Sequence, residues 1–433
     1  MSTVTTTNSP AYISGYVVKE AAKGFFNSRL FSGFVNSEYR NDFEERGAKK
    51  GDTIFVRRPA MFKVRKGAGM EIQDVHEDKI PVTLPEQKGV DFQFSARELT
   101  LDIDKGGNEY SKRWIRPAGS TLAEDDDAEG LEIAANTAGS VVIVSYGTSN
   151  SGLYEKFLDA KGLLNKFLAP KDPTTRMAFV GSDIENKLTE SVKQLYNNAR
   201  SIDKAIKDGT IQDVAGLTWG STDLVHLRTC GAGGDTLVVG SITPDYDNFT
   251  QWIPVYSASH TLAVGDTIEF NASYFINLKT KKVYQNKLQR KVLATRGTGS
   301  SLECLVYSIR PIIDMSSAGN QNEAGRKKYA MANCSALPAS GSTAVCLGVA
   351  GEDYLCCPVL HKNAITQTHV DLARPKKVEM CNTVNYKDVV IRFIEDYSVT
   401  TDQFPDRLDM LGVYTAVLPE WCVDVEIQVT ETT

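Results

Sequence analysis

The spacing of apolar residues along the chain changes several times, and each change predicts a different kind of element. Between residues 12 and 46, aromatic and aliphatic residues recur at helical spacing and are interrupted by Gly24 and Gly33. This pattern predicts two short amphipathic helices with a bend between them. Little neighbouring sequence is available to cover their apolar faces, so we expect this arm to contact a partner surface.

The next segment, residues 52–95, shows the alternation of a β-ribbon. A β-rich run covers residues 53–58, and apolar and polar residues alternate over 80–84 and again over 90–94. The stretch between the first two runs is polar, charged and contains glycine. The pattern predicts one long β-hairpin. An isolated two-stranded ribbon is marginal in water, so we expect it to lie on another subunit.

A longer helical stripe follows. Residues 108–144 carry apolar residues from Leu122 to Val142 at helical spacing, with Pro117 placed for a first turn. The acidic triplet 125–127 interrupts the stripe, and we interpret it as a solvated or intersubunit turn rather than a cation site, since Ca²⁺ loops place their acidic residues at alternating positions. Residues 153–216 then read as helix, strand, helix, helix.

From about residue 222 short strands dominate. The spacing of the strands and of the turn residues predicts a small β-barrel or sandwich inserted into an α+β domain. Residues 316–325 and 338–342, rich in glycine, serine or proline, read as the exit linker. The chain ends in further strands. The strands predicted in the inserted domain are 237–239, 252–256, 267–270, 282–284 and 302–309.

Composition narrows the class of protein. Hydrophobic residues make up 42% and charged residues 24% of the 433 residues, as in an ordinary soluble globular protein. A net charge of −6 gives no excess of positive charge that would bind nucleic acid without regard to sequence. We see no apolar run long enough for a membrane span and no secretory signal, so we expect the chain to stay in the cytosol. The eight cysteines are then expected to be buried free thiols, with Cys356 and Cys357 on opposite faces of a buried strand.

The search for catalytic chemistry finds little. The zinc-protease, phosphate-loop and serine-hydrolase motifs are missing from the sequence, and the glycine run 231–234 fits a hairpin turn better than a phosphate loop. His361 and His369 lie in a segment that favours strand, so we do not interpret them as a metal pair. The basic stretch 279–296 is interpreted as a charged barrel face, with intersubunit ion pairing or single-stranded nucleic acid as alternatives. The sequence therefore predicts no enzyme, and no catalytic, cofactor or metal site.

Charges on the predicted hairpin allow two interpretations. The ribbon is either simply solvated, or its charges are complementary to a neighbouring subunit and fix how it lies there. In the second case the apolar residues of the returning strand contribute as well. Exposed pairs with acidic surfaces such as the triplet 125–127 would be worth about 0–1 kcal/mol each. The hairpin residues that we predict at an intersubunit contact are Arg57, Arg58, Lys63, Arg65, Lys66, Phe92 and Phe94.

Five segments, in order, carry a family resemblance. They are residues 122–143 (spine helix), 208–216 (entry to an insertion), 264–270 (barrel strand), 329–333 (barrel exit) and 411–429 (closing segment). Their order and spacing resemble the Hong Kong-type capsid fold of tailed phages, and most closely the coat-protein family of the Salmonella phage P22, which has an extra inserted domain.

The resemblance implies a fold and a division of the chain. The fold would be α+β, with an N-terminal arm, an extended β-hairpin (the E-loop), a spine-helix P-domain, an A-domain and an inserted small β-barrel. The implied domains are 1–50 (arm), 51–100 (E-loop), 101–150 (spine helix and start of the P-domain), 151–221 (A-domain, first part), 222–342 (inserted barrel) and 343–433 (rest of the A-domain and the closing P-domain strands).

It also implies a function. The chain would be a major capsid protein that assembles in the host cytoplasm into an icosahedral procapsid of hexamers and pentamers, with scaffolding and portal proteins. It would then mature in the virion around double-stranded DNA, without sequence-specific contact and without a membrane. The scaffold-facing arm residues would be Tyr16, Glu20, Phe26 and Phe31, and the loop between capsomers would contain Asp245 and Asp247. The alternative is a surface or extracellular β-rich binding protein.

Overall fold

A computed structural model of the chain describes residues 10–37, 53–62, 64–65, 67–68, 70, 72, 77–83, 87–95, 115–195, 216–257, 259–375, 378, 380–386 and 389–429. The described helices are α1 (Pro10–Ser28), α2 (Phe31–Phe34), α3 (Arg116–Thr137), α4 (Asn150–Lys166), α5 (Ser182–Leu195) and α6 (Glu323–Met331).

The described strands fall into five sheets. Two sheets are two-stranded, β1 (Thr53–Arg57) with β2 (Lys79–Thr83), and β16 (Ile365–His369) with β20 (Gly412–Ala416), and a four-stranded sheet has the order β17 (Met380–Tyr386), β18 (Val389–Glu395), β19 (Gln403–Met410) and β3 (Lys88–Ser95). A six-stranded sheet has the order β4 (Ser140–Val144), β21 (Cys422–Val429), β15 (Asp353–His361), β5 (Arg176–Val180) and β6 (Thr218–Ser221), with β7 (Leu227–Thr229) beside β15. A seven-stranded sheet has the order β11 (Val283–Lys291), β10 (Thr267–Ile276), β14 (Thr343–Cys346), β8 (Thr236–Val239), β9 (Thr250–Tyr256), β13 (Glu303–Tyr307) and β12 (Ala294–Arg296).

The chain divides into two compact units. The first comprises residues 1–54, 81–130 and 366–415. Its core packs α1 and the first half of α3 against the antiparallel sheet of β3 and β17–β19, and it buries Phe25, Leu122, Phe393 and Leu408. Gly24 and Gly119 let α1 and α3 approach closely, because a Cβ on either glycine would lie within 2.3 Å of a carbonyl oxygen of the facing helix.

The second unit comprises residues 55–80, 131–365 and 416–433. In it α4 covers a six-stranded mixed sheet, in which β4 runs parallel to β21 and β6 runs parallel to β5. The seven-stranded antiparallel sheet has its own core of alternating apolar residues, including Leu237, Ile253, Ile268 and Val306. The strands predicted for the inserted domain are present. β14 lies just beyond the predicted exit at residue 342, and the predicted domain boundaries themselves stay predictions.

The structure corrects three element predictions. The spine helix ends at Thr137, and residues 140–144 form β4 instead of continuing the helix. Two features end the helix. Gly139 lies against the carbonyl of Pro419, which is distant in sequence, where a Cβ would come within 2.5 Å of the oxygen. A β-branched run also follows Gly139. β3 pairs with β19 rather than closing the hairpin, and among the described strands the hairpin consists of β1 and β2. Part of the predicted exit linker begins helix α6.

Together these elements form the α+β architecture that the sequence predicts. An N-terminal helical arm, an extended strand pair, a long spine helix and a separate antiparallel β-sheet follow one another in the expected order. The α+β class is confirmed. The third helix predicted in the 153–216 segment, and residues 208–215 of the predicted entry to the insertion, lie outside the described residues.

Candidate assembly surface

The loop that joins β1 to β2 exposes large apolar side chains. Val64 and Met70 each expose 83% of their surface, and three further apolar residues of the hairpin expose more than half. A run of exposed apolar residues on one extended segment is typical of a surface that becomes buried against a partner. We call these five residues the apolar loop surface: Phe55, Phe62, Val64, Met70 and Ile72.

The base of this loop is held by buried ion pairs. Arg310 donates to both carboxylate oxygens of Asp78, each at 2.9 Å, and Arg58 donates to Glu420 at 2.9 Å. The Arg58 guanidinium also lies 5.0 Å from the ring centre of Phe249 and 3.7 Å from Asp78. A two-bond arginine–carboxylate pair fixes orientation as well as distance. The network therefore fixes the base of the loop to the rest of the second unit.

The predicted intersubunit residues lie in different environments. Arg57 is exposed and lies 3.5 Å from Glu77, and Arg65 is exposed on the loop. Arg58 is only 6% exposed and is paired inside its own subunit. The expectation that Arg58 forms an exposed ion pair with the acidic triplet is therefore wrong. Phe92 packs on the core of the first unit. Lys63, Lys66 and the side chain of Phe94 lie outside the described residues, although the backbone of Phe94 pairs with Phe404 in the sheet.

The acidic triplet is mostly not solvated. Asp125 is exposed and binds Lys88 at 2.7 Å, but Asp126 and Asp127 are each 2% exposed. Asp127 accepts the backbone N–H groups of Phe31 at 3.1 Å and Ser32 at 2.8 Å, which lie in the first turn of α2. The interpretation of the whole triplet as a solvated turn is therefore wrong. Helical spacing alone does not reveal which of three adjacent acids points inward.

Asp126 is bound from two directions. It accepts the hydroxyl of Tyr414 at 2.7 Å and the amide of Gln367 at 2.8 Å. Burial raises the pKa of Asp126 to about 7, against the opposing effects of the Tyr414 hydrogen bond and the charge of Lys88, while the charges of Asp127 and Glu129 add to the rise. This carboxyl thus connects the spine helix to the β16–β20 pair through a group that can carry or lose its charge near neutral pH.

The N-terminal arm has more partners inside its subunit than its sequence indicates. Glu20 is 2% exposed and accepts from Arg116 at 2.7 Å, and Phe31 is fully buried against Tyr414. The premise that the arm lacks intramolecular partners is wrong, because α3 and the β-sheet of the first unit cover it. Phe26 is half-buried against the same core, and the side chain of Tyr16 lies outside the described residues.

The loop that contains Asp245 and Asp247 is tightly turned. The Asp245 carboxylate accepts the backbone N–H groups of Asp247 at 2.8 Å and Asn248 at 2.9 Å, an Asx-type turn. Asp247 is exposed and lies 2.7 Å from Lys327. The turn presents one carboxylate to solvent, and its role between capsomers stays a prediction.

The predicted basic barrel face is partly a buried charge cluster. Lys291 is 1% exposed and donates to Asp424 and Glu426, each at 2.8 Å, and Arg228 binds Glu426 at 2.7 Å and Asp266 at 2.6 Å. Burial favours protonation of Glu426, yet the charges of Lys291 and Arg228 outweigh it and lower its pKa. Lys281 and Arg290 are buried too, so the interpretation of the whole stretch as a charged barrel face is wrong.

This cluster is the part of the second unit that the sequence did not reveal. Asp424 and Glu426 alternate with valines and isoleucine in β21, and such alternation normally places the polar residues in water. Both carboxylates are instead fully buried because a second layer of the protein covers that face. The only signal was the unusual density of lysine and arginine near residue 290, which needed acidic partners.

The remaining candidate residues, two histidines and the cysteines, are packed in the interior or partly buried. His361 and His369 are buried in strands, and burial together with the Arg176 charge lowers the pKa of His361 to about 4. Seven cysteines are buried and Cys381 is half-buried, all as free thiols, which confirms the expectation. Cys356 and Cys357 lie in the buried strand β15. Among the described residues, no helix is long and apolar enough to cross a membrane.

The comparisons with known proteins identify the family. The sequence profile described as "P22 coat protein - gene protein 5" matches residues 6–421, nearly the whole chain. The chain belongs to the P22 coat protein family. Family membership confirms the resemblance to tailed-phage major capsid proteins and supports a structural, virion-associated role that includes self-association into a shell. A search of curated proteins found no relative that matches.

Solved structures were also compared. A Mycobacterium phage Che8 structure is 10% identical, with 92% of this chain and 90% of that chain covered and a TM-score of 0.46. The mature capsid of bacteriophage PhiM1 is 10% identical, with 92% and 87% covered and a TM-score of 0.43. The capsid of Cyanophage P-SCSP1u is 10% identical, with 93% of both chains covered and a TM-score of 0.43. The family assignment rests on the profile match.

Proposed function

We propose that this protein is the major capsid protein of a tailed double-stranded DNA phage and that its activity is assembly rather than catalysis. The observation that carries the proposal is the family match over residues 6–421. Copies of the chain form hexamers and pentamers of an icosahedral procapsid in the host cytoplasm, together with scaffolding and portal proteins. The shell then matures around DNA, which a chain of net charge −6 encloses without gripping.

We assign the main intersubunit contact to the hairpin. Its apolar loop surface is covered by a neighbouring copy of this chain, and exposed Arg57 and Arg65 add charge complementarity at the edge of that contact. Each exposed charge pair contributes little alone. Burial of large apolar side chains contributes more, at roughly 25 cal/mol per Å² removed from water.

Electron microscopy of the purified recombinant protein tests the assembly proposal. Shells, tubes or polyheads are the expected products, and uniform small particles under all assembly conditions would contradict it. The same protein assayed with and without the scaffolding protein of the same phage separates intrinsic assembly from scaffold-directed assembly, because scaffold is expected to increase the fraction of closed shells of one size.

We further propose that the N-terminal arm contributes to scaffold docking, as the family resemblance implies. Glu20 is buried, so any electrostatic contact falls to exposed residues beside it, such as Lys19. Contacts that must be released on maturation and that involve exposed charges weaken with salt. Lys19→Glu should weaken scaffold co-sedimentation at low salt. Lys187→Glu, an exposed lysine on α5, is the matched control and should leave it unchanged. Equal binding by both variants would place the docking site elsewhere.

A further inference from the structure

Two buried cysteines of the second unit lie side by side. Cys230 follows β7 and Cys346 ends β14, and neither is more than 1% exposed. Their sulfur atoms lie within 4.8 Å of each other. Both thiols also point at one acceptor, the carbonyl oxygen of Leu347, at 3.6 Å from the sulfur of Cys230 and 3.9 Å from that of Cys346. The two sulfurs therefore converge on one point.

The backbone on both sides of the pair is fixed. The N–H of Cys230 donates to Glu352 at 2.9 Å and its carbonyl accepts from Gly351 at 2.8 Å. The N–H of Cys346 donates to Asp235 at 3.1 Å and its carbonyl accepts from Gly234 at 2.9 Å. Closing a bond of about 2.05 Å between the sulfurs would then rely on rotation of two short side chains.

Asp266 completes a cluster that could suggest a metal ion. Its carboxylate is already used, however. One oxygen accepts from Arg228 at 2.6 Å and from the Gly231 N–H at 3.1 Å, and the other accepts from the N–H groups of Ala232 at 3.3 Å and Ala263 at 2.9 Å. A carboxylate offers about four such positions, so binding a metal would break existing hydrogen bonds. The cluster fits a dithiol better than a zinc site.

We propose that Cys230 and Cys346 form a redox pair that closes into a disulfide when a peroxide oxidises the protein. The thiolate of Cys230 attacks the peroxide O–O bond, becomes a sulfenic acid and, with hydrogen peroxide, releases water. The sulfur of Cys346 then attacks the Cys230 sulfur, the S–S bond forms, and the hydroxyl leaves as a second water with the Cys346 proton. Two thiols are oxidised and one peroxide is reduced.

The roles of the two cysteines are unequal. When the S–H of Cys346 turns from the Leu347 carbonyl to the neighbouring sulfur, its hydrogen bond lowers the pKa of Cys230, despite the opposing effect of burial. The same hydrogen bond, together with burial, raises the pKa of Cys346. Cys230 is thus the group that reaches the thiolate state first and attacks the oxidant, and Cys346 is the group that resolves the intermediate.

The bond would have a structural effect that fits the life of an exported particle. It closes a loop of roughly 115 residues, which restricts the unfolded chain strongly. Thiols stay reduced in the cytosol and can be oxidised outside it. A shell could therefore assemble with the dithiol reduced and gain the crosslink only after release from the cell.

Peptide mapping of the full-length protein tests the proposal. After hydrogen peroxide treatment and quenching, the non-reduced map should contain the Cys230 peptide joined to the Cys346 peptide, lighter by about 2 Da than the sum of the two. The melting temperature should rise and should return to its starting value with dithiothreitol. Cys304→Ser, a buried thiol of the same core, is the control and should show the same crosslink.

Single variants separate the two roles. Cys346→Ser should leave a sulfenic acid on Cys230 that dimedone labels, whereas Cys230→Ser should give neither label nor crosslink. If a variant fails to fold, the map of the unmutated protein still decides. The proposal is overturned if both thiols of the peroxide-treated wild type remain free for alkylation after denaturation, if they pair with other cysteines, or if the purified protein releases stoichiometric zinc when its thiols are blocked.

Discussion

At the scale of single residues, both units hold charged side chains in their interiors. Asp126 and Asp127 follow one another in the spine helix, yet one accepts from a tyrosine and an amide and the other caps the first turn of α2. In the second unit, Arg310 and Arg58 bind carboxylates at the base of the hairpin. Such groups orient elements, and their removal leaves unpaired buried partners.

Asp126 makes the stability of the unassembled subunit depend on pH. Its carboxyl has a pKa of about 7 when folded against an ordinary value of 3.8, so the folded state holds the proton more tightly. That contribution is complete below about pH 4 and is lost as the pH rises through 7, an effect on the order of 2–4 kcal/mol. Asp126→Asn keeps an acceptor oxygen but cannot ionise, so this part of the pH dependence should disappear.

Urea unfolding between pH 5 and 8 measures this effect. The stability of Asp126→Asn relative to the wild type should increase with pH across this window. The exposed Glu124 of the same helix provides the control, and Glu124→Gln should keep the wild-type slope. A wild-type slope in Asp126→Asn would show that this carboxyl is ionised throughout and that another group titrates.

Two adjacent acids at the base of the hairpin should differ sharply in their contribution to stability. Asp78→Asn removes the charge that Arg310 binds with two hydrogen bonds in a buried site, and should destabilise the subunit by about 3–5 kcal/mol. Glu77→Gln disrupts only the exposed pair with Arg57, which is worth roughly 0–1 kcal/mol. Chemical denaturation of the two monomers compares them. Equal small losses would mean that water reaches the Arg310 pair.

At the scale of elements, alternation and helical spacing predicted most strands and the main helices. They failed where partners distant in sequence decide the outcome. β3 has the pattern of a hairpin strand, but its backbone partner is β19, more than 300 residues later. The end of α3 depends on how closely Gly139 approaches Pro419. The burial of Glu20, Asp126 and Glu426 depends on layers that cover them, which the period of a single element does not encode.

The apolar loop surface gives a prediction at this scale. Val64→Asp combined with Met70→Asp places two charges where a neighbouring subunit would remove water, so assembly should be lost while the monomer keeps its melting temperature. Val399→Asp is the matched control, since Val399 is also 83% exposed but lies in the turn between β18 and β19. Light scattering and electron microscopy provide the readout. Normal shells from the double variant would refute the assignment of the hairpin contact.

At the scale of the whole molecule, assembly requires contacts that are weak enough to be corrected and numerous enough to hold a shell. The family assignment could be made from the sequence, because it rests on many short segments in order rather than on one site. The contacts between subunits could not be predicted from the sequence, because exposed residues follow no hydrophobic periodicity and have no internal partner that would mark them. The apolar loop surface became visible only when the exposure of each side chain was known.

The free-energy contributions of these intersubunit contacts should add along the hairpin. Val64→Ala and Met70→Ala each remove apolar area without adding charge, at a cost of about 1 kcal/mol per lost contact, which corresponds to roughly a five-fold rise in the critical concentration for assembly. Side chains that touch different parts of a neighbour act independently, so the double variant should show about the product, roughly 25-fold. Sedimentation of shells from free subunits over a concentration series measures all three values. If the critical concentration of the double variant is no higher than that of either single variant, one side chain anchors the loop and the other remains in water. If each single variant loses assembly completely, the loop folds as a unit against its neighbour and the contacts are not weak and additive.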